Sequence, residues 1–152
     1  MARTYPSRGG IQAGSLSYYE ALLDNPNVQR GLAVIRTTEG TAKSREPYNM
    51  AFGMRRIGDL SWHPGKSYKF TQTNGKANRT TAAGAYQFLR GTWNGVAKQL
   101  GLKSFNAKNQ DIAALALIDR RGGLEPLVKG DVRGFVNAVG PEWASLPSAP
   151  DA

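Results

Sequence analysis

Glu39 is the residue of this 152-residue chain whose placement speaks most directly of chemistry. It closes a helical pattern in Val34-Ile35-Arg36-Thr37-Thr38-Glu39-Gly40-Thr41. Val28, Leu32 and Ile35 recur at helical spacing, Glu39 falls one turn beyond Ile35 on the same inward side, and Gly40 suits the end of a helix. Burial raises a carboxyl pKa, and so does the negative end of a helix dipole. Glu39 is therefore placed to remain protonated near neutral pH and to give its proton to a leaving oxygen. A Glu ending a solvated helix is the commoner meaning of such a pattern, so the rest of the chain has to supply the weight.

The elements that must position this acid are legible in outline. Residues 1–14, rich in Gly, Ser, Arg and Pro, are expected to form a loose arm. Ser17 and Glu20 make a capping-box pattern for a short helix over 17–23, and Asn25-Pro26 restarts a helix that runs into Glu39. From 41 to 81 the helical period vanishes. Tyr68, Phe70 and Gln72 alternate up to the turn Asn74-Gly75, which predicts a small β-lobe over about 41–87. Helical spacing returns in Leu89, Trp93, Val96, Ala97 and Leu100, closed by Gly101. Asn106 caps an apolar helix through Ile118, a helical turn is expected over 124–128, and Asp131 caps a last helix carrying Val132, Phe135, Val136 and Val139. One catalytic domain over 15–147 and a tail over 148–152 follow.

An acid-bearing helix, a β-lobe and then a helical bundle predict an α+β fold, with a mostly helical lobe, a small β-lobe and a cleft between them holding the acid at its base. Such clefts suit elongated polymers. Candidates to line it are Tyr48, Trp62, His63, Tyr86, Gln87 and Trp93. Tyr86 and Gln87 follow the small residues Thr80-Thr81-Ala82-Ala83-Gly84-Ala85 and would supply a stacking face and amide hydrogen bonds, the two contacts that hold a sugar. The alternative is that Tyr86 fills core and Gln87 turns the chain. Trp143 reads as a core anchor.

Composition narrows the classes. No Cys is present, which excludes disulfides and thiolate zinc. His63 is the single histidine, so neither a metal nor a cofactor is expected. Lys and Arg total 20 against 11 Asp and Glu, a formal net charge of +9, which draws the chain to polyanions. The first ten residues lack an apolar stretch of the secretory kind, and the apolar run over 112–118 is too short to span a bilayer. A protein made soluble in a cytoplasm, without stable membrane insertion, is expected.

Several fragments together resemble the lambda phage endolysin family, small lytic transglycosylases of lysozyme-like fold. They are Glu39-Gly40-Thr41, Tyr48, Gly53, Asp59-x-Ser61-x-His63-Pro64, Thr81-x-Ala83-Gly84-x-Tyr86-Gln87-x-Leu89 with Trp93, the run 98–103, Gln110-Asp111, Arg121-Gly122, Gly130-Asp131-x-Arg133 and Trp143-Ala144-Ser145-Leu146-Pro147. Each is weak alone, but order and spacing match over most of the chain. Two departures stand out. The family continues with a further helix after the Trp143 motif, whereas here a longer stretch precedes the Glu39 helix, and the helix over 17–23 is expected to take the missing helix's place. Asn49 also stands where the lambda-type enzyme has an acidic residue.

The resemblance implies a peptidoglycan-degrading endolysin. Glu39 would protonate the β-1,4 oxygen between N-acetylmuramic acid and N-acetylglucosamine, then take the proton of the muramoyl 6-hydroxyl as that oxygen closes on its own anomeric carbon. The product ends in a 1,6-anhydro sugar. Intramolecular attack makes a second carboxylate dispensable, whereas hydrolysis generally needs two. Glu46 is the candidate for the second if the enzyme is instead a hydrolytic muramidase, and Asp59 reads as a loop-holding residue. The implied protein is a monomer with peptidoglycan as its partner, held in the host bacterial cytoplasm before lysis, or carried in a virion, and acting on the periplasmic wall. The rival from another class is a basic nucleic-acid-binding protein; no nucleic-acid motif is present, and the basic residues are not gathered on one helix.

Overall fold

The computed structural model describes residues 11–147; residues 1–10 of the arm expected over 1–14, and the tail over 148–152, lie outside the described residues. Among the described residues, six α-helices and two antiparallel β-hairpins are formed. α1 is Leu16–Leu22, and its N-cap is Ser15, whose hydroxyl accepts from the Tyr18 amide, rather than the expected Ser17. A turn at residues 12–15 brings Ser15 to the position where the first free amides point. Tyr18 and Tyr19 are buried by α1, and the Tyr19 hydroxyl donates to Asp119 Oδ2 at 2.6 Å.

Asn25 caps α2 (Pro26–Thr38) through the Asn27 and Val28 amides, and Val28, Leu32 and Ile35 face the core as the spacing predicts. The β-lobe consists of β1 (Met50–Ala51) paired with β2 (Arg55–Arg56), and β3 (Tyr68–Thr71) paired with β4 (Ala77–Thr80) around the Asn74-Gly75 turn. The strands are short because the segment is mostly turns, with 3-10 turns at Thr41–Lys43 and Pro47–Asn49. Phe52 packs on Phe70 at 5.4 Å between ring centroids, tying the hairpins together.

The helical lobe follows, with α3 (Arg90–Leu100), α4 (Ala107–Arg120), α5 (Leu124–Lys129) and α6 (Val132–Val139). Asn106 and Asp131 cap α4 and α6 as expected. α4 is the apolar centre, burying Ile112, Leu115, Leu117 and Ile118. Two residues expected to face the core do not. Leu89 is the N-cap of α3 rather than part of its buried stripe, and Val132, at the first position of α6, is 68% exposed at the rim of a shallow groove with Leu127 and Phe135. Among the described residues no helix is long and apolar enough to cross a membrane, and no group of three or more potential metal ligands is gathered.

Candidate active site

Glu39 is the C-cap of α2, and Gly40 follows at φ +87°, a left-handed conformation that L side chains avoid. Gly40 turns the chain so that Thr41 drops into the core, where its hydroxyl donates to the Ala85 carbonyl at 2.7 Å. Helix and following turn thus fix the backbone on both sides of Glu39. The carboxylate lines a cleft of about 390 Å³ whose walls include Lys43, Phe52, Phe70, Thr80 and Gln87. Partial burial raises the Glu39 pKa above the ordinary carboxyl value, and a hydrogen bond from the Ser145 hydroxyl to Oε2 opposes that rise. Ser145 also bonds Thr38 Oγ1 at 3.2 Å. Within this cleft Glu39 is the only acidic residue among the described lining residues.

Gln87 reaches the cleft from a tight turn. The small residues before it serve backbone approach: Ala83 exchanges backbone hydrogen bonds with Phe88, and a Cβ on Gly84 would come within 2.7 Å of Phe105 Cζ. Gln87 adopts φ +52°, and its Nε2 donates to the Gly84 and Met50 carbonyls at 2.9 and 3.1 Å. With the nitrogen committed, the amide oxygen is what Gln87 offers a ligand.

Tyr86 does not reach the cleft: it is 0% exposed. Its hydroxyl receives a hydrogen bond from Arg36 Nη1 at 2.8 Å and donates to Asp111 Oδ1, which also accepts from Tyr48 at 2.8 Å. Tyr48 and Tyr86 therefore sit edge to face, 6.2 Å apart, behind α2, and Tyr48 is absent from the cleft lining. Burial raises the pKa of Asp111, opposed by hydrogen bonds from both tyrosines and by the charge of Arg36. Burial and the Asp111 charge push the Tyr86 pKa far up, so it remains a neutral donor.

The other three expected groove residues also lie elsewhere. Trp93 is fully buried, edge-on to Phe105 at 4.7 Å, because its place on the inner stripe of α3 puts it at the centre of the aromatic core. His63 is buried too. Its Nδ1 accepts from the Gly65 amide at 2.9 Å and its Nε2 faces the Phe88 carbonyl at 2.8 Å, which fixes a neutral ring with the proton on Nε2; burial lowers its pKa. Trp62 is exposed, but it lines a separate recess that shares no lining residue with the Glu39 cleft. Trp143 is a core anchor, its Nε1 donating to the Tyr86 carbonyl at 2.9 Å.

The two downstream acids weighed beside Glu39, Glu46 and Asp59, are engaged by other partners. Glu46 is exposed and bonded through both oxygens to Arg56, at 2.9 and 3.3 Å, which lowers its pKa. Asp59 accepts from the Ser61 amide at 2.8 Å and holds its loop, which lowers its pKa. Lys43, Phe52, Phe70 and Ser145 were not among the residues expected at the site. Nothing in local spacing marks them, because they arrive from segments far apart in the chain.

The endolysin family profile matches residues 30–152. The endolysin of Escherichia phage lambda is 37% identical over 123 residues, covering 78% of this chain and 75% of its own length. The chain belongs to the endolysin family. The endolysin of Escherichia phage P2 is 31% identical over 135 residues, covering 81% of each chain. Among solved structures, the lysozyme from bacteriophage lambda superposes with a TM-score of 0.71 at 33% identity, over 80% of this chain and 79% of that one. A structure of bacteriophage lambda lysozyme in complex with a chitohexasaccharide matches with the same TM-score and coverage at 36% identity. The α+β fold is thus lysozyme-like, and this endolysin is a peptidoglycan-cleaving enzyme.

Proposed function

We propose that this endolysin is a lytic transglycosylase that cleaves the β-1,4 bond between N-acetylmuramic acid and N-acetylglucosamine with Glu39 as its single acid and base. The observation that carries the reading is a half-buried carboxyl of raised pKa, alone among the described cleft-lining residues in being acidic. In the first half of the reaction the Glu39 proton passes to the glycosidic oxygen as the C1–O bond breaks, and the N-acetylglucosamine hydroxyl leaves. In the second, the muramoyl 6-oxygen bonds to C1 and its proton returns to the Glu39 carboxylate. No water is consumed, and the enzyme regains its starting protonation state. Tethering of the nucleophile to the reacting sugar replaces the second carboxylate. The ion pair holding Glu46 to Arg56 and the loop contacts of Asp59 agree with that economy.

Gln87 is the substrate-holding residue of this reading, its amide oxygen accepting from a sugar hydroxyl or acetamido N–H, and Phe52 and Phe70 give the cleft wall an apolar face. The chitohexasaccharide bound to the lambda lysozyme shares the β-1,4 N-acetylhexosamine backbone of this substrate. The same reading makes the protein a monomer, needing no cofactor, that waits in the host cytoplasm and reaches the wall at lysis. Replacing Glu39 by Gln tests it. The variant should still pellet with purified peptidoglycan while losing the ability to clear it; clearing at the wild-type rate would remove Glu39 from the mechanism.

A further inference from the structure

Trp62 faces a recess of about 390 Å³ beside the β1–β2 hairpin: residues 51–54 line the cleft, residues 56–58 line the recess, and the two share no lining residue. Trp62 is 40% exposed, yet its ring is held in place. Its Nε1 donates to Asn94 Oδ1 at 3.1 Å, and one edge rests on the buried Trp93 ring at 5.9 Å between centroids and 73° between planes. An exposed indole fixed by a hydrogen bond and a packed edge loses little freedom when a flat ligand stacks on it. Around it stand Asp59, whose carboxylate can accept from hydroxyl and amide groups, and Lys66, an exposed cation with no ion pair among the described residues.

A rigid aromatic platform, an acceptor and a free cation match a glycan whose sugars present flat C–H faces, hydroxyls and acetamido groups, and whose lactyl and peptide substituents carry carboxylates. We propose that the Trp62 recess is a second, non-catalytic binding site for a carboxylate-bearing N-acetylhexosamine strand, that is, for peptidoglycan itself. The inference rests on the enzyme acting on that polymer. Two sites on one rigid body raise the effective concentration of wall at the cleft, so the gain exists only on polymeric substrate.

The test is pelleting of the Glu39→Gln protein with intact sacculi, with and without Trp62→Ala, beside the kinetics of the singly substituted Trp62→Ala enzyme on sacculi and on short soluble peptidoglycan oligomers. The recess predicts roughly tenfold weaker pelleting, a matching rise in KM on sacculi, and unchanged kcat and KM on the short oligomers. Equal pelleting, or an equal loss on short and long substrates, overturns it. Should Trp62→Ala lose its fold, Lys66→Ala at an exposed position carries the same test, with weaker pelleting supporting the site and unchanged pelleting overturning it. Failure of the wild-type protein to solubilise sacculi would instead overturn the catalytic reading, so the two failures are distinguishable.

Discussion

The Glu39 carboxyl, the proposed acid and base, balances two opposed influences, burial raising its pKa and the Ser145 hydroxyl holding it down. A hydroxyl that donates to a carboxylate stabilises the charged form, so its removal leaves burial unopposed. Ser145→Ala is therefore expected to move the high-pH limb of the kcat/KM profile upward, because Glu39 stays protonated to higher pH; a limb that stays in place or moves down would deny the contact that role. Gly40 is the other sensitive position. No atom crowds it, so Gly40→Ala isolates the strain of φ +87° and should cost about 1–2 kcal/mol in chemical denaturation. Glu39 and Gly40 were legible in the sequence because a helix and its end are local patterns. Ser145 was not, since it meets Glu39 across 106 positions through tertiary folding alone.

Between elements, the Arg36, Tyr86, Asp111 and Tyr48 contacts join α2, the turn behind the cleft and α4, all at the back of the helix that ends in Glu39. Asp111→Asn keeps the shape but removes the charge that two tyrosines and Arg36 face. A loss of about 1–3 kcal/mol is expected, seen as a lower urea midpoint at unchanged m. α1 is tied to α4 by Tyr19, and Tyr19→Ala should cost about 3 kcal/mol through the cavity left in a fully packed site. A neutral result would show that α1 is dispensable to the fold. The helices themselves were readable from period and caps, to within two residues at the α1 cap. Aromatic roles were not: Tyr86, Trp93 and Trp62 carry the same sequence signal, and only burial separates the first two, in the core, from the third, on the surface.

At the scale of the whole molecule, a net charge of +9 faces an anionic wall. The β-lobe holds much of it in Arg55, Arg56, Lys66, Lys69, Lys76 and Arg79, most of them without an ion-pair partner among the described residues. Adsorption to sacculi should weaken as ionic strength rises past the physiological range, where the Debye length falls below about 8 Å. Turnover of bound substrate should hardly change, because it depends on the cleft rather than on surface charge. Sedimentation and single-turnover rates across a salt series separate the two. The overall α+β layout was legible because the helical period breaks once and resumes once; the groove was not, because a cleft is defined by which segments meet across it.

The most direct test of a single-acid mechanism is mass spectrometry of the soluble muropeptides released from purified peptidoglycan, with Glu39→Gln run beside the wild type. Fragments ending in 1,6-anhydro-muramoyl groups, lacking one water relative to reducing-end fragments and absent with the variant, are the predicted result. Reducing-end fragments would contradict it, since they require an activated water and a second carboxylate that the described lining of the Glu39 cleft does not supply.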